Sequence, residues 1–330
     1  MFHRIAMLIL GILAVQVGYA ADADTSSGSG EPASAQTQQP AQGSVQGHGS
    51  ISIAYLGSYA DGFWIASNTK LPLGRVHSRG IELDASYNVS NSWSVYGGIR
   101  YIDNRYSGTM PDCPTSAPPQ CAGTPPLNPQ HPETPFLDDG NYHGNWQDYT
   151  LGAAWHANIG NYYITPSVTA TIPSHAYPIY GNVYVGQHLH QLLFDVTLSH
   201  QFDFTNFYYK LGYGYAFSQR VLGYDTGYQR YDGELGWFVD EKFSVRAFLT
   251  GRRGNGVSAR DLLPLTDGLT NDLWYRRNQI SQHSYNAYGL GFDYGLGDRY
   301  TASVSIQREY WGDTVFDYKY AVEARLTRSF

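Results

Sequence analysis

The chain closes on Tyr318-Lys319-Tyr320-Ala321-Val322-Glu323-Ala324-Arg325-Leu326-Thr327-Arg328-Ser329-Phe330. Tyr318, Tyr320, Val322, Ala324, Leu326 and Phe330 share one parity, and Lys319, Glu323, Arg325 and Thr327 share the other. Successive side chains of a strand point to opposite faces, so this stretch carries one apolar, aromatic-tipped face and one charged face. Either a half-buried soluble strand or a strand with lipid on one side and water on the other would read this way. Recurrence of the pattern along the chain separates the two.

The alternation recurs about a dozen times. Ile51, Ile53 and Tyr55 open it; Ile81, Leu83, Ala85, Tyr87 and Val89 then oppose Glu82, Asp84, Ser86 and Asn88. Trp93, Val95, Gly97, Ile99 and Tyr101 follow after a Ser-Asn-Ser turn. Further strands are read near 149–155, 164–172, 192–198, 209–217, 231–237, 243–249, 290–294 and 300–306. Their links alternate in length. Those near 90–92, 157–161, 202–206, 239–242 and 296–299 are short; those near 58–78, 103–145, 173–188, 218–229, 253–282 and 311–315 are longer or more variable. Short periplasmic turns and long outer loops mark a transmembrane antiparallel β-barrel. The expected fold is all-β, one barrel of about twelve strands with ten or fourteen as the neighbouring even counts. A secreted β-sandwich also predicts one polar face per strand, but neither the aromatic strand ends nor the alternating loop lengths.

The beginning of the chain reads as a targeting segment. Arg4 precedes an apolar core from Ile5 to Val17, and Gly18-Tyr19-Ala20 offers a cleavage site. Residues 1–20 are therefore expected to be a signal peptide, 21–48 a flexible periplasmic lead-in rich in Ser, Gly, Gln and Ala, and 49–330 the barrel. No other apolar run approaches the ~20 residues of a membrane helix. Use of 29 tyrosines and 36 glycines suits interfacial girdles and close backbone packing. A net charge of -7 argues against a nucleic-acid partner. The expected surroundings are the lipid and lipopolysaccharide of a Gram-negative outer membrane.

The face opposite the apolar one carries chemistry. Glu82, Asp84, Asp195, Asp232, Glu234, Asp293 and Glu323 balance Arg100, Lys210, Arg230, Arg246, Arg252, Lys319 and Arg325, so the inferred lumen is near neutral. Opposed charges in a confined space should pair, because an isolated one is costly to desolvate. Other inward positions are small, among them Thr165, Ser167, Thr169, Thr171, Gly212, Gly214, Gly289, Gly291, Ser303 and Ser305. At ~4.8 Å between strands and ~40° of tilt, twelve strands enclose a cylinder about 24 Å across, leaving roughly 12–14 Å between side chains. That admits a small solute. Two readings stand: a charge network that braces the wall, and a constriction beside an open wall of small residues.

Local motifs add little. Cys113 and Cys121 sit close together in a Pro-rich stretch, where an exported protein is expected to form a disulfide; zinc lacks a second ligand pair nearby. Asp138-Asp139-Gly140 supplies too few oxygens for calcium and reads as a turn. His156, His188 and His190 show no metal spacing with a carboxylate, and no G-x-S-x-G motif is present. No catalytic residue, metal or cofactor is expected. A membrane-embedded hydrolase and a closed structural barrel remain the alternatives to a channel.

The stretches RGIELDASYNVSNSWSVYGGIRYIDNRY (79–106), FLDDGNYHGNWQDYTLGAAW (136–155) and YAFSQRVLGYD (215–225) resemble a family of proteobacterial outer-membrane proteins grouped with transporters linked to phenol meta-cleavage pathways. The resemblance spans about residue 49 to Phe330. It implies a passive outer-membrane channel for a small-molecule solute, of the small aromatic or hydrophobic class, and carries no catalytic residues. A terminal aromatic such as Phe330 is similar to the signal by which barrels of this class are recognised by the barrel-assembly machinery.

Overall fold

A computed structural model describes residues 46–66, 69–108, 137–262 and 272–330. Residues 1–45, Cys113 and Cys121 lie outside the described residues. The chain forms a closed antiparallel barrel from β1 (Gly49–Ala66), β2 (Thr69–Asn88), β3 (Trp93–Ser107), β4 (Tyr142–Trp146), β5 (Tyr149–Trp155), β6 (Ala157–Ile159), β7 (Tyr162–Ile172), β8 (Gln191–Gln201), β9 (Phe207–Ser218), β10 (Tyr228–Phe238), β11 (Phe243–Gly254), β12 (Ser284–Gly295), β13 (Tyr300–Asp313) and β14 (Val315–Ser329). The first two short pieces, β4 and β5, both pair with β3, while β5 and β6 both pair with β7. They are one interrupted stave, so the barrel has twelve staves. Among the described residues no helix is long and apolar enough to cross a membrane.

Closure falls between the two ends of the chain. On one side β1 pairs with β2, and on the other with β14, in register from Ser50↔Ser329 upward. Gly49 N–H donates to the Phe330 carbonyl at 2.9 Å and Phe330 N–H to the Gly49 carbonyl at 3.0 Å. Lipid offers no hydrogen-bond partner, so a spanning sheet must leave no open edge. The short links gather at this end, with Gly49 and Phe330.

The outer surface follows the parity of the sequence. Ile81, Leu83, Val95, Leu151, Phe194, Leu211, Leu235, Leu249 and Phe292 are exposed on the wall. Val168, Val304 and Val322 are half-buried. Trp93, Trp155, Tyr162, Phe207, Trp237 and Tyr294 ring the end with short turns; Tyr101, Trp146, Tyr149, Phe217, Tyr288 and Tyr310 ring the other. From Phe207 to Phe217 along β9 the rise is about 26 Å on the barrel axis, at ~3.4 Å per residue and ~40° of tilt. An apolar band ~25 Å tall is what an outer membrane requires.

Three expectations at the outer end are corrected. The link expected at 58–78 is strand: β1 and β2 stay paired from Gly49↔Tyr87 to Ala66↔Thr69, with register shifts near Asp61 and Trp64. Polarity inverts there. Arg75, His77 and Arg79 point outward while Ala60, Trp64 and Val76 are buried inside, as expected of sheet standing above the bilayer around an apolar filling. Next, Tyr318 does not share the outward face. A bulge between Tyr59↔Tyr320 and Ala60↔Tyr318 turns it inward, where it is 5% exposed. Finally, the link near 311–315 is short, with Thr314 alone between β13 and β14 at φ 61. Pairing of β13 with β14 stops at Gln307↔Ala321. Beyond it β13 stays on β12 and β14 on β1. The Glu309 carboxylate accepts from the Tyr318 backbone N–H at 3.2 Å across that parting.

Candidate functional site: the lumen wall and the outer cap

Inward side chains assemble into three charge clusters. In the first, one row of the ladder runs Arg325↔Ala54↔Glu82↔Arg100 over β14, β1, β2 and β3. Because β1 presents only Ser50, Ser52 and Ala54 here, Arg325 reaches across it. Its guanidinium donates to Glu82 at 2.5 Å, to Glu323 at 2.6 Å, to Ser52 at 2.9 Å, and also to Asp84. Arg100 donates to the second oxygen of Glu82.

The second cluster repeats the device. Arg230 on β10 meets Asp195 on β8 at 3.1 Å and its neighbour Asp232 at 3.4 Å. The row between them is Asp195↔Gly214↔Arg230. A Cβ at Gly214 would lie 2.8 Å from the Asp195 carboxylate, and one at Gly212 2.4 Å from Asp232. In the third cluster Arg246 donates to both oxygens of Asp293, at 2.9 and 2.8 Å, and approaches Glu234 at 3.6 Å. Tyr208 donates to Glu234 at 2.8 Å. Gly291 leaves room for the Arg246 guanidinium, whose Nε would stand 2.6 Å from a Cβ there.

These glycines do not form a bare wall beside the charges; they seat the charged side chains. Each cluster therefore lies along the wall. All ion pairs among the described barrel residues join staves no more than two apart around the ring. The remaining expected lumen residues sit nearby. Lys319 pairs with Asp317 at 2.5 Å, shared with Lys70. Arg252 lies over the Tyr228 ring at 3.9 Å and donates to Gln187 at 3.5 Å. Lys210 stands between Ser199 and Glu234 in register.

One segment crosses the mouth. Residues 173–190, between β7 and β8, form neither strand nor helix and turn into the outer end of the barrel. Tyr180 and Val183 share an apolar cluster with Trp64, Val76, Tyr106, Val315, Phe316 and Tyr318. Tyr177, Ile179 and Val185 share another with Ile102. In a ring of twelve staves β14 stands opposite β8, so the segment spans the lumen.

Irregular backbone buried this way must find hydrogen bonds outside a ladder, and side-chain amides supply them. Asn278 donates to the carbonyls of Gly181 at 2.8 Å and Ile179 at 3.1 Å; Asn104 donates to that of Tyr184 at 2.8 Å. Gln279 donates to the Gln187 carbonyl at 2.9 Å, and Gln187 returns to that of Asn278 at 3.1 Å. Gln147 donates to the carbonyl of Val185. Asp138 accepts from Asn182 N–H at 2.7 Å, and Asp139 closes the expected turn by accepting from Asn141 N–H at 2.9 Å. Asn278 and Gln279 belong to a short helical excursion between β11 and β12: α1 (Ala259–Leu262), α2 (Asp272–Tyr275) and α3 (Arg277–Ile280).

Sequence reasoning missed the cap and its amide clamps. A signal was present, since Ala176 to Val185 is denser in Tyr, Ile and Val than a solvated loop needs. Two described Ser–His pairs stand 2.8 Å apart: Ser174 with His175, whose other ring nitrogen meets the Asn145 side-chain oxygen at 2.8 Å on the exposed outer rim, and Ser94 with His156 inside the wall. The other ring nitrogen of His156 meets the Thr165 hydroxyl at 3.3 Å, where a hydrolase would place a carboxylate or amide, and both residues are buried.

No protein-family model matches the sequence. No curated protein matches it either. Among solved structures, an outer-membrane channel from Pseudomonas putida F1 is similar over 89% of this chain and 100% of that one, at TM-score 0.63 and 11% identity. The KdgM porin covers 85% of this chain with 99% of its own, at TM-score 0.46 and 8% identity. The P. putida toluene transporter TodX covers 87% with 90% of its own, at 0.40 and 7%. At such identities likeness shows the fold alone. The first shows that this barrel has the architecture of Gram-negative outer-membrane proteins.

Proposed function

We propose that the protein is a passive outer-membrane channel for small molecules, closed at its outer mouth by residues 173–190 and opened when that segment shifts. The carrying observation is the contrast between wall and cap. Charged side chains run round the circumference over glycine and other small residues, whereas the element that crosses the mouth is an irregular segment outside the sheet, held by apolar packing and side-chain amides. A barrel built only to be filled would send its ion pairs across the lumen. Glu82, Asp84, Arg100, Asp195, Lys210, Arg230, Asp232, Glu234, Arg246, Arg252, Asp293, Lys319, Glu323 and Arg325 line the path in this reading.

Small aromatic or hydrophobic compounds are the solute class. Tyr177, Ile179, Tyr180, Val183 and Val185 give the cap an apolar body, against which such solutes lose less hydration than polar ones. Cleavage of residues 1–20, delivery to the outer membrane through Phe330, and a Cys113–Cys121 disulfide in the outer loop belong to the same proposal. Liposome swelling tests it. Vesicles carrying the protein should swell in small solutes and not in large ones, faster when residues 176–187 are replaced by a short Gly-Ser link. Equal, protein-independent swelling in all vesicles would refute it.

A further inference from the structure

A cavity of about 600 Å³ lies on the flank of the cap, between residues 173–190, the turn after β9 and the helical excursion. Its volume falls in the range of small-molecule sites. One side carries the guanidinium groups of Arg220 and Arg276 beside the imidazoles of His175, His188 and His190; the other, with Leu222, is apolar. Asp272 is the carboxylate among the lining residues. Among the described residues the Arg220 guanidinium makes no hydrogen bond or ion pair, and the Arg276 guanidinium donates only to the Gln279 side chain, at 3.0 Å. The His188 ring makes an edge contact with Tyr177 at 5.1 Å and no hydrogen bond.

The backbone is strained at the same place. Five described non-glycine residues have positive φ, and two of them, His188 at 52° and Leu222 at 50°, line this cavity. His188 is held so by its N–H, which donates to the Tyr177 hydroxyl at 2.9 Å. Leu222 is the first central residue of a two-residue turn closed by Val221 and Tyr224, with Gly223 at φ 86. Such a turn favours Asn or Gly where Leu222 stands. A bulky residue in this region is strained, and such strain clusters at ligand clamps. Here it aims an imidazole and an isobutyl group into one space.

We propose that this cavity captures small carboxylates with an apolar body, the carboxylate on Arg220, Arg276 and His188 and the body against Leu222. The proposal rests on the channel reading, since it names the class of solute taken at the mouth. Gln279, beside the cavity, also clamps the cap through the Gln187 carbonyl. A ligand bound here therefore touches a residue that holds the cap.

Titration calorimetry of the full chain in detergent micelles tests this, with benzoate and its neutral analogue benzamide as probes. Benzoate should bind at least about tenfold more tightly than benzamide, because a charge-assisted pair is worth about that factor. Arg220→Gln combined with Arg276→Gln should abolish the difference. His188→Gly, which relieves the strain while removing the ring, should weaken benzoate without lowering thermal stability. Equal affinities for the two probes, or unchanged benzoate binding in the arginine double variant, would overturn the proposal. Conductance needs no part in these readouts. Binding in a barrel that never conducts would sink the channel reading alone, and conduction without benzoate binding would sink this site alone.

Discussion

Arg325 on the last stave donates to Glu82 on the second at 2.5 Å, over the Ala54 side of β1, and Arg100 holds the other oxygen of Glu82. Arg325 is thus the tie across the seam where the barrel closes. Its side chain is 4% exposed. Removing it leaves Glu82 to Arg100 alone and takes the cation from Asp84 and Glu323, and breaking a buried pair costs up to about 3–5 kcal/mol. Arg325→Ala should lower the urea midpoint of the refolded barrel accordingly, and Arg325→Lys should restore little, since one ammonium cannot serve four acceptors in a fork. An unchanged midpoint would show that water, not Arg325, satisfies Glu82.

Ala54 should matter for the same reason. A leucine there would stand between Arg325 and Glu82 in the row that joins them. Ala54→Leu is expected to destabilise the barrel by about 1–3 kcal/mol as an overpacked site, while Ala153→Leu, on the outer face of β5, should be close to neutral. Equal losses in urea unfolding would mean that the gap over β1 is not needed.

Leu83 and Ser86 lie on one strand with opposite faces. Leu83 is exposed to lipid, whereas Ser86 meets the Ser50 hydroxyl inside at 2.8 Å. Arginine at the middle of the lipid face costs roughly 2–4 kcal/mol. Leu83→Arg should therefore reduce heat-modifiable barrel in the outer membrane far more than Ser86→Arg. Equal assembly of the two would contradict the register of β2.

Phe330 ends the closing strand, its backbone paired with Gly49 and its ring against the position a Gly49 Cβ would occupy. Phe330 is 51% exposed, so deleting it removes about half a side chain of burial, on the order of 1 kcal/mol, which a large sheet should survive. A recognition role instead makes the defect kinetic. The deletion should cut folded barrel in cells severely while refolding into micelles stays near wild type. Equal outer-membrane yields of deletion and wild type would refute the assembly role.

Much of the barrel is legible because period two is legible. The parity of Ile81, Leu83 and Tyr87 against Glu82 and Asp84 assigns faces without any knowledge of partners. It fails where the environment of a face changes. Above the membrane the polarity of β1 and β2 inverts, so Arg75 and His77 outside with Trp64 and Val76 inside read as a loop. A single bulged residue reverses Tyr318. The cap has no period at all: Tyr177, Val183 and Leu189 are buried by what lies across the mouth, and the amides of Asn104 and Asn278 that hold it come from distant chain positions. Parity likewise cannot tell which charges pair, since Arg325 meets Glu82 only because β1 between them is small.

The most direct measurement is single-channel recording in a planar bilayer, comparing wild type with the variant in which residues 176–187 are replaced by a short Gly-Ser link. Wild type should show brief stepwise openings from a closed baseline. The variant should be open for most of the record at a conductance consistent with a lumen of roughly 12–14 Å. Silence from both proteins, each shown to be folded and inserted, would contradict a channel capped by residues 173–190.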